Sequence, residues 1–253
     1  MYQTLRVRSH DSVRFLQIHR PQANNTISPE LISEFGMALA ECAQNANVVV
    51  IEGLPEVFCF GADFQQISSA VAAGETRPYD PGPLFDLWQQ LAAGPFVSVA
   101  HVRGKVNAGG VGFVAACDVV VADESAQFSL SELLFGVYPA CVLPFLIRRV
   151  GYQKAHYMTL MTQPVSAQQA LAWGLVDAVE ASSEALLRKH LLRLRRLSKV
   201  AIGRYKGYLQ SLQGNLADIR PRAIAGNQEV FSDPTNLAAI VRYVERGIFP
   251  WES

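Results

Sequence analysis

The sequence predicts an α/β (α+β) fold, with repeated ββα-like units in its N-terminal part and helices in its C-terminal part. Three short apolar runs, "NVVVIEG" (47–53), "FVSVAHVRG" (96–104) and "VVVAD" (119–123), predict buried strands, and each precedes a helical pattern. After about residue 143 the patterns are helical, and no strand is predicted there. We therefore expect an α/β core followed by a helical region.

The N-terminal segment supports the same fold class. Residues 4–21 alternate polar and apolar positions around a turn-like centre, which predicts a β-hairpin or two short strands. Ser28 followed by Pro29 predicts the start of a helix. The Gly- and Pro-rich residues 72–83 predict a surface loop that leads into a short helix over 84–91.

Composition and charge exclude several classes of function. Half of the 253 residues are hydrophobic, and 22 basic side chains balance 22 acidic ones, so neither nucleic acid nor a membrane surface is expected as a partner. The longest uncharged run, 133–147, contains two prolines and is too short to span a bilayer. The four cysteines lack CxxC spacing, which argues against a metal site and favours reduced thiols. Because the N-terminal segment has no apolar signal core, we expect a cytoplasmic protein.

Two glycine-containing segments are candidates for binding a negatively charged oxygen. In "FCFGADF" (58–64), Gly61 permits a sharp bend that aims the amide of Ala62 into a cleft, or the segment is an ordinary turn capped by Asp63. In "KVNAGGVGFVAACD" (105–118), adjacent glycines at a helix start expose unpaired amides, or they serve only close helix packing.

A carboxylate is the third candidate. Glu132 lies among apolar residues in "FSLSELLFGVYPA" (128–140). Such surroundings raise the pKa of a carboxyl group and allow proton transfer near neutral pH, but a helix-start carboxylate satisfied by backbone amides is an equal alternative.

Taken in this order, the three segments resemble the crotonase, or enoyl-CoA hydratase, superfamily. "FCFGAD", "GKVNAGGVGFVAACD", "FSLSE" and "GVYPA" are similar to its successive motifs, and the likeness covers nearly the whole chain. The resemblance implies a crotonase spiral of ββα units over 1–195 and a C-terminal helical region over 196–253. It also implies a homotrimer, or a dimer of trimers, formed through that region.

The resemblance also implies roles for individual residues. The amides of Ala62 and Gly109 would form an oxyanion hole for a thioester enolate, and Glu132 would move a proton at the α-carbon. The residues expected to bind substrate are Gly61, Asp63, Gly110, Tyr79 and Tyr138. Where hydratases carry their first glutamate this chain has Gly112, and Ala108 replaces the first glycine of the motif.

A narrower resemblance, carried by "HVRGKVNAGGVGF", "FSLSELLFGVYPACVLPFLIRR" and "QKAHYMTLMT", is to the dehydratases of polyketide β-branching cassettes. It implies dehydration of (S)-3-hydroxy-3-methylglutaryl-acyl carrier protein to the 3-methylglutaconyl thioester. No cofactor is expected apart from the phosphopantetheine of the carrier protein, or CoA, that holds the substrate. The alternatives are a CoA-dependent enoyl-CoA hydratase or isomerase and a non-catalytic binding protein of the same fold.

Protonation of the departing hydroxyl requires an acid, which is either Glu132 itself or a second group. Asp86 is the candidate second acid, and the alternative is an exposed helix residue. Phe60 and four basic residues are candidates for meeting an acidic carrier protein, although a basic run on a helix is commonly its solvated face. These basic residues are Arg188, Lys189, Arg193 and Arg196, whereas the group that binds the substrate's free carboxylate is left open among His101, Arg103 and Lys105.

Overall fold

The computed structural model describes residues 2–74, 80–212 and 216–252, and these form two β-sheets and a set of helices. The strands are β1 (Leu5–His10), β2 (Val13–Ile18), β3 (Val48–Glu52), β4 (Val57–Cys59), β5 (Val97–Val102), β6 (Lys105–Asn107), β7 (Val119–Asp123), β8 (Gln127–Ser129), β9 (Val165–Ser166) and β10 (Ala178–Glu180).

The helices begin with α1 (Pro29–Asn45), α2 (Phe64–Ala72), α3 (Gly82–Ala93), α4 (Gly109–Ala116), α5 (Leu143–Val150) and α6 (Tyr152–Met161). They continue with α7 (Ala167–Ala172), α8 (Ser183–Leu194), α9 (Lys199–Leu212), α10 (Leu216–Ser232) and α11 (Pro234–Arg246). Pro21–Ala23 and Glu132–Phe135 form short 3-10 helices. In the described part of the chain, no helix has the length and apolar character needed to cross a bilayer.

The larger sheet has the order β1-β2-β3-β5-β7-β10, and its β1/β2 pair is the antiparallel hairpin expected from the sequence. The other neighbours in this sheet are parallel. Every residue of β3 and of β5 is buried, because parallel strands covered on both faces require apolar side chains at nearly every position. The three predicted buried strands are thereby confirmed as β3, β5 and β7.

The smaller sheet has the order β4-β6-β8-β9, with β4, β6 and β8 parallel. Each of these three strands follows a strand of the larger sheet along the chain, so β3-β4, β5-β6 and β7-β8 are successive turns of a spiral, each followed by a helix or a 3-10 helix. The expected ββα repetition is confirmed.

The two faces of the larger sheet carry separate apolar cores. Helices α1, α3 and α4 cover one face, where Phe35, Trp88 and Phe113 are fully buried. Helix α8 covers the opposite face, where Leu186 and Leu187 pack with valines of β3, β5 and β7. The small sheet and α4 lie with the first core, so the candidate residues belong to that side of the molecule.

The C-terminal helices pack back onto the spiral. Helix α11 contacts α2 and the 3-10 helix that begins at Glu132. Phe135 of that 3-10 helix makes edge contacts with Phe64 and with Tyr243, at ring-centroid distances of 5.1 Å each. The predicted boundary at 195/196 falls between α8 and α9.

Local signals near the N-terminus predicted structure correctly. The Ser28 side chain accepts a hydrogen bond from the amide of Leu31 and caps α1. The predicted helix over 84–91 is part of α3. Five of the twelve residues of the predicted loop before it, 75–79, lie outside the described residues.

The prediction of no strand after residue 143 is wrong, since β9 and β10 lie there. Strand β10 adds to the edge of the larger sheet by pairing in parallel with β7, and β9 pairs antiparallel with β8. These strands have only two and three residues, which is too few for alternation to distinguish them from the flanking helices. The sequence patterns missed β6 and β8 for the same reason.

Candidate active site

The three candidate segments follow three adjacent strands of the small sheet. Ala62 comes after β4, Gly109 after β6 and Glu132 after β8. Val106 is paired with Cys59 on one side and with Phe128 on the other, so β4, β6 and β8 are neighbours, with a register shift in β4 between Val57 and Cys59. Since the carboxyl ends of parallel strands lie at one edge of a sheet, the fold brings the three segments together.

The turn at Gly61 lies directly against the start of α4. Gly61 has a φ of +87°, and a Cβ atom added to it would lie 2.6 Å from the Cβ of Ala108 and 3.2 Å from the amide nitrogen of Gly109. Any larger residue would be strained and would collide with this neighbour. The Gly61 carbonyl accepts a hydrogen bond from the amide of Ile27, at 2.7 Å, which anchors the turn.

The amides of Ala62 and Gly109 donate no hydrogen bond to any of the described residues. For Gly109 the reason is its place at the start of α4, where the first amides of a helix have no acceptor within the helix. Two free amides on adjacent turns, one of them at the positive end of a helix, are suited to binding a negatively charged oxygen.

Glu132 is buried at the third strand end. The residue is 9% exposed, and its Oε2 atom has no hydrogen-bond partner in the described part of the chain. Burial raises the pKa of its carboxyl group to about 7, against partial opposition from the backbone amides of Glu132 and Ser131. A carboxyl group with this pKa can accept and return a proton near neutral pH.

Asn107 ties two of these strand ends together and was not predicted from the sequence. Its Nδ2 donates to the Oγ of Ser131 at 2.9 Å, and its Oδ1 accepts from the Oγ of Ser129 at 2.8 Å. Asn107 is two residues before Gly109, and Ser131 is next to Glu132. A single asparagine in a three-residue strand forms no sequence pattern, so its hydrogen bonds to Ser129 and Ser131 could not be predicted.

Asp63 and Gly110, two of the residues expected to bind substrate, have structural roles in this fold. The Asp63 carboxylate accepts hydrogen bonds from the amide of Gln66 at 3.2 Å, from the Oγ1 of Thr26 at 2.9 Å and from Arg20 at 3.2 Å. Asp63 is therefore a helix cap and ion-pair partner, as the alternative interpretation expected. A Cβ on Gly110 would lie 2.3 Å from the carbonyl oxygen of Cys59, so this glycine allows α4 to approach β4 closely.

Asp86 has a partner that does not fit the role of second acid. Its two carboxylate oxygens accept hydrogen bonds from Nε and Nη2 of Arg220, at 2.5 and 2.7 Å. Protonation of Asp86 would disrupt this two-point contact, which is the reason we correct that prediction. The Tyr138 hydroxyl donates to Glu229 at 3.3 Å, and Tyr79 lies outside the described residues.

Three side chains are candidates for binding the free carboxylate of the substrate, and two of them contact other side chains of the protein instead. His101 is buried, with Nδ1 3.0 Å from Glu52 and Nε2 3.0 Å from Ser183. Arg103 pairs with Glu184, whereas Lys105 is exposed. Within the described residues no cluster of His, Cys, Asp or Glu side chains is arranged to hold a metal ion.

The basic residues considered for carrier recognition lie away from the candidate residues. Arg188, Lys189 and Arg193 are exposed on α8, which covers the face of the larger sheet opposite α4. Lys189 pairs with Glu180, and Arg196 follows α8. Phe60, by contrast, is next to the Gly61 turn and is 41% exposed.

Trp88 of α3 covers the Gly112 position and was also missed from the sequence. A Cβ added at Gly112 would lie 2.5 Å from Cζ2 of the indole. The position at which the hydratase pattern has a glutamate is therefore closed by a large aromatic ring.

Comparison with known proteins identifies the family of this chain. The family model described as enoyl-CoA hydratase/isomerase matches residues 8–253. The chain belongs to this family. The chain is 58% identical over 252 residues to the bacillaene synthase dehydratase PksH of Bacillus subtilis, covering 99% of this chain and 97% of that protein. It is 34% identical over 173 residues to the 2,3-dehydroadipyl-CoA hydratase of Escherichia coli, covering 66% of this chain and 65% of that protein.

Solved structures show the same fold. The crystal structure of the polyketide biosynthesis enoyl-CoA hydratase pksH from Bacillus subtilis matches with a TM-score of 0.97 and 57% identity, covering 99% of this chain and 100% of that one. An enoyl-CoA hydratase from Mycobacterium avium subsp. paratuberculosis matches with a TM-score of 0.84 and 28% identity, covering 97% of each chain. The predicted fold class, the family resemblance and the assignment to the hydro-lyases are confirmed.

Proposed function

We propose that this enzyme dehydrates (S)-3-hydroxy-3-methylglutaryl-acyl carrier protein to 3-methylglutaconyl-acyl carrier protein in polyketide β-branching. The observation that carries the proposal is the buried carboxyl group of Glu132, whose Oε2 has no partner among the described residues, at the same edge of the small sheet as the amides of Ala62 and Gly109, in a chain 58% identical to a bacillaene synthase dehydratase. The thioester is held on phosphopantetheine, and the proposal requires no further cofactor.

The first step of the proposed mechanism is removal of the C2 proton by Glu132. The electron pair of the C2–H bond moves toward the thioester carbonyl, whose oxygen becomes negatively charged. The amides of Ala62 and Gly109 stabilise this enolate oxygen, and loss of one such donor typically costs about 2.7–4 kcal/mol of transition-state stabilisation. The backbone therefore supplies a large part of the catalysis.

The second step expels the C3 hydroxyl group. The enolate electron pair forms the C2=C3 double bond while the C3–O bond breaks. Glu132, now protonated, gives its proton to the departing oxygen, so water leaves and the carboxylate is restored. This route needs no second acid, in keeping with the pairing of Asp86 to Arg220.

Mass spectrometry of the carrier-bound substrate tests the proposal. Incubation with the enzyme is expected to remove one water from the acyl group, whereas loss of carbon dioxide would assign a decarboxylase instead. Glu132→Gln is expected to reduce the rate at least about 100-fold, because acid and base catalysis typically contribute that much. The exposed Glu124→Gln is the matched control. Dehydration by Glu132→Gln at a near wild-type rate would overturn the assignment.

The two alternatives predict different outcomes. An enoyl-CoA hydratase or isomerase would act on crotonyl-CoA, and a non-catalytic protein would bind the thioester without turnover. The indole over Gly112 opposes the first, since it leaves no room for a second carboxylate at that position.

Acyl carrier protein is the proposed partner, and Phe60 beside the Gly61 turn supports delivery of the substrate from this side. The carrier-bound thioester is expected to have a higher kcat/KM than the CoA thioester. Equal values for the two would exclude specialised recognition of the carrier.

The homotrimer, or dimer of trimers, is also part of the proposal, as is a cytoplasmic location. Exposed apolar side chains on α6 and α9 support self-association, because a monomer seldom leaves many of them in water. They include Tyr152, Leu160 and Met161 on α6 and Val200, Tyr205, Tyr208 and Leu212 on α9. Light scattering on the purified protein gives the stoichiometry, and a monomer would contradict this part.

A further inference from the structure

Trp88 is a buried residue whose ring is held rigidly against the first turn of α4. It is 1% exposed, and its indole makes edge contacts with Phe113 and Phe145 at centroid distances of 5.9 and 5.8 Å. A ring packed between two aromatic neighbours keeps one orientation, so the direction of its Nε1–H bond is fixed.

The indole lies on the side of α4 that carries Gly109 and Gly112. A Cβ on Gly112 would lie 2.5 Å from Cζ2 and 2.6 Å from Cη2, and a Cβ on Gly109 would lie 3.9 Å from Cη2. Since Gly109 supplies one of the two free amides, the benzo edge of Trp88 is next to the proposed oxyanion hole. The ring takes the space into which a side chain at 112 would project.

The Nε1 of Trp88 is buried and has no hydrogen-bond partner among the described residues. Indole nitrogen is only a donor, and leaving a buried donor unpaired costs about 1–3 kcal/mol. Native proteins rarely leave such groups unpaired without a functional reason. The Oε2 of Glu132 is likewise buried and without a partner among the described residues, so the structure leaves one donor and one acceptor that a ligand carrying a hydroxyl group would satisfy.

We propose that Trp88 is a specificity-determining residue whose Nε1–H donates a hydrogen bond to an oxygen on C3 of a β-hydroxyacyl thioester. This inference rests on the proposed function. With the thioester oxygen at the amides of Ala62 and Gly109, the acyl chain extends two bonds to C3. Indole does not give up its proton, so Trp88 orients the hydroxyl while Glu132 transfers the proton.

Trp88→Phe tests the inference because it removes the donor and keeps an aromatic ring. Two rates are compared: dehydration of the carrier-bound 3-hydroxy-3-methylglutaryl group, and exchange of the C2 protons of carrier-bound glutaryl with deuterated water. The second reaction needs Glu132 and the oxyanion hole but involves no oxygen on C3. The ratio of dehydration to exchange is expected to fall about tenfold, the typical effect of an unmet buried hydrogen bond.

Phe145→Leu is the matched control, since it loosens the packing around the same indole and leaves Nε1 in place. It is expected to change both rates together. An unchanged ratio in Trp88→Phe, or an equal fall of the ratio in Phe145→Leu, would overturn the inference.

A spectroscopic measurement separates this inference from the proposed function. The chain has three tryptophans, and Trp88→Phe identifies the indole N–H signal of Trp88 in ¹⁵N-labelled Glu132→Gln protein. Adding carrier-bound 3-hydroxy-3-methylglutaryl is expected to move this signal downfield, and carrier-bound glutaryl is expected to move it much less. Equal shifts with the two ligands would overturn the role of Trp88 even if the enzyme dehydrates. Lack of dehydration by the wild-type protein together with unequal shifts would instead contradict the proposed function alone.

Discussion

The side chain of Asn107 holds Ser131 at 2.9 Å, and it thereby joins the strand end that leads to Gly109 with the strand end that leads to Glu132. Asn107 is buried and also accepts a hydrogen bond from Ser129. The Asn107 side chain therefore helps to fix the proposed base relative to the proposed oxyanion hole, together with the hydrogen bond from the amide of Ala108 to the Ser129 carbonyl at 3.0 Å.

Asn107→Ala is expected to lower kcat about tenfold or more with a smaller change in KM, because misplacing the base by a fraction of an ångström slows proton transfer. Steady-state kinetics on the carrier-bound substrate measure both constants. Asn47→Ala, which removes a hydrogen bond to the Leu197 carbonyl on the other side of the molecule, is the control. Equal losses of kcat in the two variants would assign Asn107 to stability alone.

The pH dependence of dehydration follows from Glu132. Because its carboxyl pKa is raised to about 7 by burial and the proposed base is the ionised form, kcat/KM is expected to rise with pH and to level off above about 7. Single-turnover rates across this range, with buffers of matched ionic strength, measure the profile. A rate that falls as pH rises through this value would assign Glu132 the role of initial acid.

The ionisation of Glu132 is also expected to affect the stability of the protein. The rate of dehydration rises with pH, whereas the free energy of unfolding is expected to fall. Between its unfolded pKa of 4.5 and its folded pKa of about 7, the folded state retains a proton that the unfolded state has lost. The free energy of unfolding therefore decreases as pH rises through this window, by about 3 kcal/mol from this group. Glu132→Gln removes the effect.

The difference in unfolding free energy between Glu132→Gln and the wild type is accordingly expected to increase by about 3 kcal/mol from about pH 4 to about pH 8. Urea unfolding at several pH values measures it, and other titrating groups cancel in the difference. A difference independent of pH would contradict the raised pKa.

Ala108 has a strained backbone immediately before Gly109, with φ +51° and ψ −122°. Non-glycine residues with positive φ cost about 1–2 kcal/mol, so Ala108→Gly is expected to stabilise the protein by about 1 kcal/mol. Ala73→Gly, at a helical φ of −77°, is expected to destabilise by about 0.5–1 kcal/mol. Urea unfolding measures both, and effects of the same sign would mean that the Ala108 backbone is not strained.

Several elements were predictable from local sequence. Strands β3, β5 and β7 are predominantly apolar runs, and Ser28 with Pro29 marks the start of α1 as its capping chemistry requires. The motifs "FCFGAD", "GKVNAGG" and "FSLSE" predicted that Ala62, Gly109 and Glu132 are functional candidates. The structure then brings these three residues to one edge of the small sheet.

Other features depend on residues far apart in the chain. Asp86 looked available as an acid, but its partner Arg220 is 134 positions away, and no local pattern reveals that pairing. Asp63 illustrates the reverse case, since the alternative interpretation as a helix cap needed only the three residues that follow it.

The sequence by itself determined the main strands, the ββα repetition, the family and the identity of the proposed base, because each depends on residues close together in the chain. Three features became apparent only in the tertiary structure: the small sheet, the hydrogen bond from Asn107 to Ser131, and the packing of Trp88 against the Gly112 position. Strands of two or three residues carry no periodic pattern. A contact between α3 and α4 exists only after both helices have packed on the sheet, so its consequence for Gly112 could not be read from the glycine itself.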